Sequence, residues 1–125
     1  MEHEKLTEKI IGCAFTVYNK MGYGFLESVY QNCLVLELRK AGLRVEVEKQ
    51  IEVRYDGELV GAFSADILVE ETVLVELKSV RKITKAHEVQ LVNYLVATGK
   101  PVGLLLNFGE KKVQVVRKVR ELRSS

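Results

Sequence analysis

The chain has 125 residues, of which 47% are hydrophobic and 29% are charged, and its formal net charge is +2. These values predict one soluble domain spanning residues 1–125 and exclude a disordered or collagen-like chain. The charge is too small to diagnose nucleic-acid binding, and no apolar run is long enough to cross a bilayer. The polar start and two cysteines, Cys13 and Cys33, in helical patterns predict free thiols, no membrane partner and a cytoplasmic location.

Two helices are predicted at the start of the chain. Apolar residues recur at helical spacing over residues 6–21 and again over residues 26–41. Gly22-Tyr23-Gly24 breaks the pattern between them, and Gly42 stands where a glycine commonly ends a helix.

From residue 45 the apolar period changes from 3.6 to 2, which predicts strands. Asp56-Gly57 is a strong hairpin signal after the first strand region, and residues 59–63 form its partner. Residues 65–69 and 73–78 are two further strands, or the first of them continues the strand before it. Residues 70–72 join them.

A third helix is predicted over residues 84–98, with Thr84 as its N-cap and Gly99 at its end. Residues 102–108 are almost entirely apolar, as in a strand buried on both faces, and residues 113–119 form a last strand. The predicted order is ααββββαββ, with an uncertainty of one strand.

Three polar side chains are predicted to share one face of a hairpin. If residues 70–72 form its loop, counting back places Asp66 opposite Glu76, and opposed residues of antiparallel strands point the same way. Lys78, two residues beyond Glu76, lies on that face too. The opposite face is wholly apolar and must be core; its residues are Ile67, Val69, Val73, Val75 and Leu77.

Two opposed carboxylates repel each other, so this face needs compensating charge. Lys78 supplies one positive charge, and a divalent cation such as Mg²⁺ would supply the rest, since it binds carboxylates and water. The alternative is an ordinary ion pair of Lys78 with either acid on an amphipathic strand, which is the common meaning of an isolated Glu-x-Lys sequence.

Basic residues cluster in two places. The first cluster is Lys78, Arg81, Lys82 and Lys85, and the second is Lys111, Lys112, Arg117, Lys118, Arg120 and Arg123. Either cluster is expected to contact a nucleic-acid backbone or, alternatively, to be plain solvated surface.

Four stretches together resemble a known family. The Asp66-x9-Glu76-x-Lys78 spacing looks like the core motif of the PD-(D/E)XK nuclease superfamily. Residues 24–30, Gly-Phe-Leu-Glu-Ser-Val-Tyr, resemble the signature of its GxxExxY branch, and residues 87–95 and 103–108 resemble the helix and strand that follow. The resemblance covers residues 5–120 and implies an α/β (α+β) restriction-endonuclease-like three-layer fold, with a central mixed β-sheet flanked by helices.

The resemblance also implies roles for individual residues. Asp66 and Glu76 would bind Mg²⁺ or Mn²⁺, with Glu27 as an additional acid reaching the same site. Lys78 would activate the attacking water and stabilise charge on the phosphate. Gln90 would face the site from the third helix.

Nucleic acid would be contacted by Tyr30, Arg81, Lys82 and Lys85. Tyr30 lies one helical turn beyond Glu27 and would share its face. Three of the assigned residues have a structural alternative. Glu27 would favour the positive end of the second helix dipole, Tyr30 would belong to the core, and Gln90 would be an amide on the helix surface. Two positions depart from the family pattern, because Ala65 replaces the motif proline and Ser64 replaces a larger residue.

The expected function is therefore metal-dependent hydrolysis of phosphodiester bonds in nucleic acid. DNA is the favoured substrate, although the sequence does not separate it from RNA, and a homodimer is a reasonable expectation. The main alternative is a catalytically inactive module that binds nucleic acid or a partner on the same fold. A third possible function is that of a structural subunit whose acids form only ion pairs.

Overall fold

The computed structural model describes residues 3–120, which form three helices and five strands. The helices are α1 (Glu4–Met21), α2 (Glu27–Lys40) and α3 (Lys85–Thr98). The strands are β1 (Val45–Tyr55), β2 (Glu58–Val69), β3 (Val73–Lys78), β4 (Val102–Phe108) and β5 (Val113–Val119). Both cysteines are free, and no helix in the described residues is long and apolar enough to span a membrane.

The strands form a single mixed sheet in the order β1-β2-β3-β4-β5. Only β3 and β4 are parallel, and the other neighbours are antiparallel. A parallel pair needs a crossover connection, which α3 supplies here. The expected central mixed sheet flanked by helices is confirmed.

The sheet divides the molecule into three layers. The main core lies between the sheet and α1 with α2, and it contains the whole apolar face predicted for β2 and β3. A smaller cluster beneath α3 contains Ile51, Ala65, Leu74 and Leu95. The chain thus buries both faces of β3, whose first five residues are all buried.

The predicted turns are present at the expected residues. Asp56 and Gly57 both have positive φ, at 51° and 81°, which suits a two-residue hairpin between Tyr55 and Glu58. Thr84 caps α3 by accepting a hydrogen bond from the His87 amide, and Gly99 ends the helix in the left-handed conformation.

The structure decides between the two alternatives for the strands after the Asp56-Gly57 turn. Residues 59–63 and 65–69 belong to the single strand β2, which was the second of the two alternatives. The strand nevertheless changes face along its length, because Ala65 lies in the α3 cluster while Ile67 lies in the main core. Glu48, across from Asp66 on β1, has a φ of 52° and marks the same irregularity.

Helix α3 approaches the sheet closely at Gly103 of β4. A Cβ atom at this position would lie 2.8 Å from Leu91 Cδ1 and 3.3 Å from the Leu74 carbonyl oxygen. The missing side chain therefore lets α3 pack directly on β3 and β4, and this contact sets the height of the helix above the sheet.

We expect Gly103→Ala to lower the free energy of unfolding by about 1–3 kcal/mol, because the added methyl group overpacks this contact. Gly12→Ala is the matched control: Gly12 lies in α1 with open space around its Cα, so alanine should stabilise the helix by up to about 1 kcal/mol. Urea unfolding measures both. Equal effects of the two substitutions would contradict the close approach.

Candidate functional site

The β2–β3 ladder ends one residue before the two predicted acids. Its last backbone pair is Ile67 with Val75. At the next position the side chains replace the ladder: the Leu77 amide donates to Asp66 Oδ2 at 2.8 Å, and the Asp66 amide donates to Glu76 Oε1 at 3.2 Å. Each carboxylate is therefore held by the backbone of the opposite strand.

Glu76 is the more deeply buried of the two acids, with only 8% of its surface exposed. Burial, and then the neighbouring Asp66 charge, raise the pKa of Glu76 to about 8. The Asp66 side chain also forms a hydrogen bond with Glu76, and the positive charge of Lys78 counteracts the rise in pKa only weakly. Without a cation, Glu76 therefore keeps its proton at neutral pH.

The pair of acids fits a hard divalent cation. Both supply carboxylate oxygens, the ligands that Mg²⁺ prefers, and a cation can take the place of the proton that the pair now retains. Within residues 3–120, no group of three acidic, histidine or cysteine side chains is close enough to bind a metal. Water, backbone oxygen and substrate oxygen can complete the coordination of such an ion.

Lys78 lies at the end of β3, half-buried, two residues beyond Glu76 on the same face. Its Cα pairs with that of Asn107 on the parallel strand β4. The arrangement of Asp66, Glu76 and Lys78 on one face agrees with the sequence-based geometry.

Helix α3 brings two further polar side chains to this face. The pKa of Tyr94 is raised, first by burial and then by the charges of Glu76 and Asp66, so its hydroxyl lies in the field of both acids. A hydrogen bond from the Gln90 side chain lowers that pKa in turn. Gln90 is thus linked to the acids through Tyr94, whose ring stacks on Phe63 at 3.7 Å.

Sequence reasoning gave Tyr94 no role in the site, although a signal was available. Tyr94 follows Gln90 by four residues, which places both side chains on one face of a helix. It was counted only among the residues that resemble the family's helix.

Asn107 is a second residue that the sequence analysis did not single out. It is fully buried in β4, where its Oδ1 accepts from the Val80 amide at 2.9 Å and its Nδ2 donates to the Val80 carbonyl at 2.8 Å. Nδ2 also donates to Gln114 Oε1 at 2.8 Å. Asn107 therefore fixes the loop that follows Lys78.

Glu27 does not join the two acids in a metal-binding group. It is exposed in the first turn of α2, and within residues 3–120 no three acidic, histidine or cysteine side chains lie close enough to share a metal ion. The start of α2 is nevertheless tied to the end of β3, because Ser79 Oγ donates to the Phe25 carbonyl at 2.9 Å. Glu27 therefore lies near this end of the sheet without reaching the pair.

The expectation that Tyr30 contacts nucleic acid is corrected by the structure. Tyr30 has no exposed surface and stacks on Phe108 at 4.4 Å. Its hydroxyl donates to the Gly22 carbonyl at 2.6 Å and accepts from the Phe25 amide at 3.2 Å. Its role is to hold the Gly-rich turn against the core, which is the packing alternative.

The other three residues predicted to contact nucleic acid are exposed. Arg81 and Lys82 lie in the loop after β3, and Lys85 begins α3. All three lie within seven residues of Lys78 along the chain.

Comparison with known proteins agrees with this geometry. The family model of the PD-(D/E)XK nuclease superfamily matches residues 4–119, almost the whole chain. This chain belongs to the PD-(D/E)XK nuclease superfamily. Members of this superfamily generally use divalent metals. The finer assignment to the GxxExxY branch still rests on residues 24–30 alone.

Two solved structures are similar to this superfamily member in fold. The crystal structure of SSO0001 matches with a TM-score of 0.60 and 19% sequence identity. The match covers 78% of this chain but only 52% of SSO0001, so this chain spans about half the length of that protein. The alkaline exonuclease LHK-Exo of Laribacter hongkongensis has a TM-score of 0.50 and 15% identity, over 92% of this chain and 82% of its own. A comparison with curated protein sequences gives no significant match.

The retained proton of Glu76 predicts a pH-dependent stability in the absence of metal. The native state holds this proton up to about pH 8, whereas the unfolded chain releases it near its ordinary pKa of 4.5. The stabilisation is therefore complete below pH 4.5 and is lost as the pH rises to about 8, by at most about 1.4 kcal/mol per pH unit.

Urea unfolding in a chelator at pH 5, 6.5 and 8 measures this loss. Glu76→Gln, which has no proton to release, should flatten the profile in that window. Glu71→Gln, at an exposed hairpin residue, should leave it unchanged. The same slope in the wild type and in Glu76→Gln would contradict the raised pKa.

Proposed function

We propose that this protein hydrolyses phosphodiester bonds of nucleic acid with the help of Mg²⁺ or Mn²⁺ held by Asp66 and Glu76. The observation that carries the proposal is the position of the two acids. Their carboxylates are fixed by opposite strands at the end of the ladder, with Lys78 on the same face. Few structural roles require a buried carboxylate beside a half-buried one, because their repulsion is unfavourable.

When bound, the cation would lower the pKa of a water molecule and polarise the phosphoryl oxygen. Asp66 and Glu76 orient their carboxylates without reorganisation, because the Leu77 and Asp66 amides already hold them. Lys78 places a fixed positive charge where negative charge develops on the phosphate. On the α3 side, Gln90 forms a hydrogen bond with Tyr94, whose hydroxyl lies in the field of both acids.

Glu27 is proposed as an outer acid that orders water or substrate near the exposed start of α2. Arg81, Lys82 and Lys85 are proposed to bind the nucleic-acid backbone by charge, without reading its sequence. DNA is the first substrate to test, and RNA the second. A homodimer is compatible with this proposal but is not required by it.

The first test combines metal binding with cleavage. Calorimetry with Mg²⁺ and Mn²⁺ is performed on wild type, Glu76→Gln and the control Glu71→Gln, and each is incubated with labelled single-stranded, duplex and branched DNA and RNA. We expect metal-dependent cleavage by wild type and Glu71→Gln, and its loss in Glu76→Gln together with weaker metal binding.

The alternatives give different results. If the folded wild type binds nucleic acid but does not bind metal and does not cleave, the protein is an inactive binding module. A folded protein that does none of these would support the structural subunit, in which the acids serve only the fold.

A second test separates the role of Lys78 from that of the acids. Lys78→Met should retain metal binding, because the carboxylates and their backbone donors remain, while cleavage falls by about 100- to 1,000-fold. Lys5→Met, at an exposed position of α1, is the control and should keep full activity. Unchanged cleavage in Lys78→Met would remove the lysine from the mechanism.

A further inference from the structure

A basic pocket of about 270 Å³ lies beside the turn between β4 and β5. It is lined by Arg81, Gly109, Glu110, Lys111, Lys112 and Gln114. The pocket thus joins the loop after β3 to the β4–β5 turn, and it brings together residues of the two basic clusters that are about 30 positions apart in sequence.

The backbone of the pocket is held by several hydrogen bonds. The Tyr18 hydroxyl donates a shared hydrogen bond to the Gly109 carbonyl at 2.6 Å and the Glu110 carbonyl at 3.0 Å. The Gly109 amide donates to the Lys112 carbonyl at 3.1 Å. Asn107 holds Val80, next to Arg81, on the other side. The two walls therefore keep a fixed separation although the lysine side chains are exposed.

The charge of the pocket matches a phosphate group at a chain end. Its three cations and one acid give a net charge of +2, and no carboxylate within residues 3–120 forms an ion pair with Arg81, Lys111 or Lys112. A phosphate monoester carries a charge of about −1.5 to −2 at neutral pH, whereas an internal phosphodiester carries −1. The unpaired cations therefore favour a monoester.

The pocket lies close to the proposed site of hydrolysis. Asn107 pairs with Lys78, and Gly109 follows Asn107 by two residues. Gly109 lies just beyond β4, and its amide donates to the Asn107 carbonyl at 3.0 Å, so the chain turns here and Gly109 stays within about 7 Å of Asn107. A phosphate in the pocket would thus lie near a phosphodiester beside Lys78.

We propose that Arg81, Lys111 and Lys112 form a subsite for the terminal phosphate of a nucleic-acid strand, which positions the strand end beside the hydrolytic site. The positioning of a strand end for hydrolysis rests on the proposed function. Binding of the phosphate itself does not, because it needs neither metal nor cleavage. The subsite predicts that cleavage begins near a phosphorylated strand end.

Fluorescence anisotropy in a chelator tests the subsite with 12-nucleotide single strands that carry a 5′-phosphate, a 3′-phosphate or hydroxyl groups at both ends. Wild type should bind one phosphorylated strand about tenfold more tightly than the hydroxyl-ended strand. The double variant Lys111→Ala/Lys112→Ala should lose this preference. Its salt slope should fall by about 0.7, the value for one phosphate contact on a single strand.

The matched control is Lys5→Ala/Lys9→Ala, which removes two exposed lysines from α1 and should keep the preference. Equal binding of all three strands by wild type would overturn the assignment, and a lower salt slope without a terminal preference would assign the pocket to an internal phosphodiester instead. Equal losses in the two double variants would also overturn it.

The same strands with Mn²⁺ separate this inference from the proposed function. Cleavage that persists unchanged in Lys111→Ala/Lys112→Ala, with unchanged binding, removes the subsite and leaves the nuclease. A terminal preference that depends on the two lysines, in a protein that never cleaves, keeps the subsite and removes the nuclease.

Discussion

The site depends on two hydrogen bonds between β2 and β3, from the Leu77 amide to the Asp66 carboxylate and from the Asp66 amide to the Glu76 carboxylate. Where β2 and β3 separate, their amides would lose ladder partners, and the two carboxylates accept those hydrogen bonds instead. The acids are consequently positioned by the backbone rather than by the choice of rotamer. The cost is a buried, protonated Glu76, which the apolar residues on the opposite face of the same strands offset.

The parallel pairing of β3 with β4 determines what covers this face. A parallel pair requires a crossover, and α3 returns over the acids because it must connect the ends of these two strands. Its first turn is fixed by the Thr84 cap, and its centre rests on Gly103. Topology and close packing therefore bring Gln90 and Tyr94 to the face of the sheet that carries the acids.

The opposition of Asp66 and Glu76 could be predicted because a three-residue loop and a period of two fix the register by counting. The end of the ladder could not, since periodicity tells which face a residue takes but not where two strands separate. The same limit explains β2, whose change of face coincides with the unusual φ of Glu48. Helical spacing predicts that Tyr30 shares the face of Glu27, but the Tyr30 ring stacks on Phe108 and points into the core. The family resemblance predicted a role for Gln90, and the charge interactions of Tyr94 with both acids add Tyr94, one helical turn further on.

Asn107 shows how a buried polar residue can serve position rather than stability. An unpaired amide in an otherwise apolar strand would be costly, yet this one makes three hydrogen bonds, two to Val80 and one to Gln114. A leucine would suit the neighbouring side chains and avoid that cost, but it would release the loop that carries Arg81. The amide thus connects the rigid sheet to an exposed basic loop, and the loop keeps its place relative to Lys78 because β3 and β4 are already in register. In this way the position of a surface charge is determined by a residue that has no exposed surface.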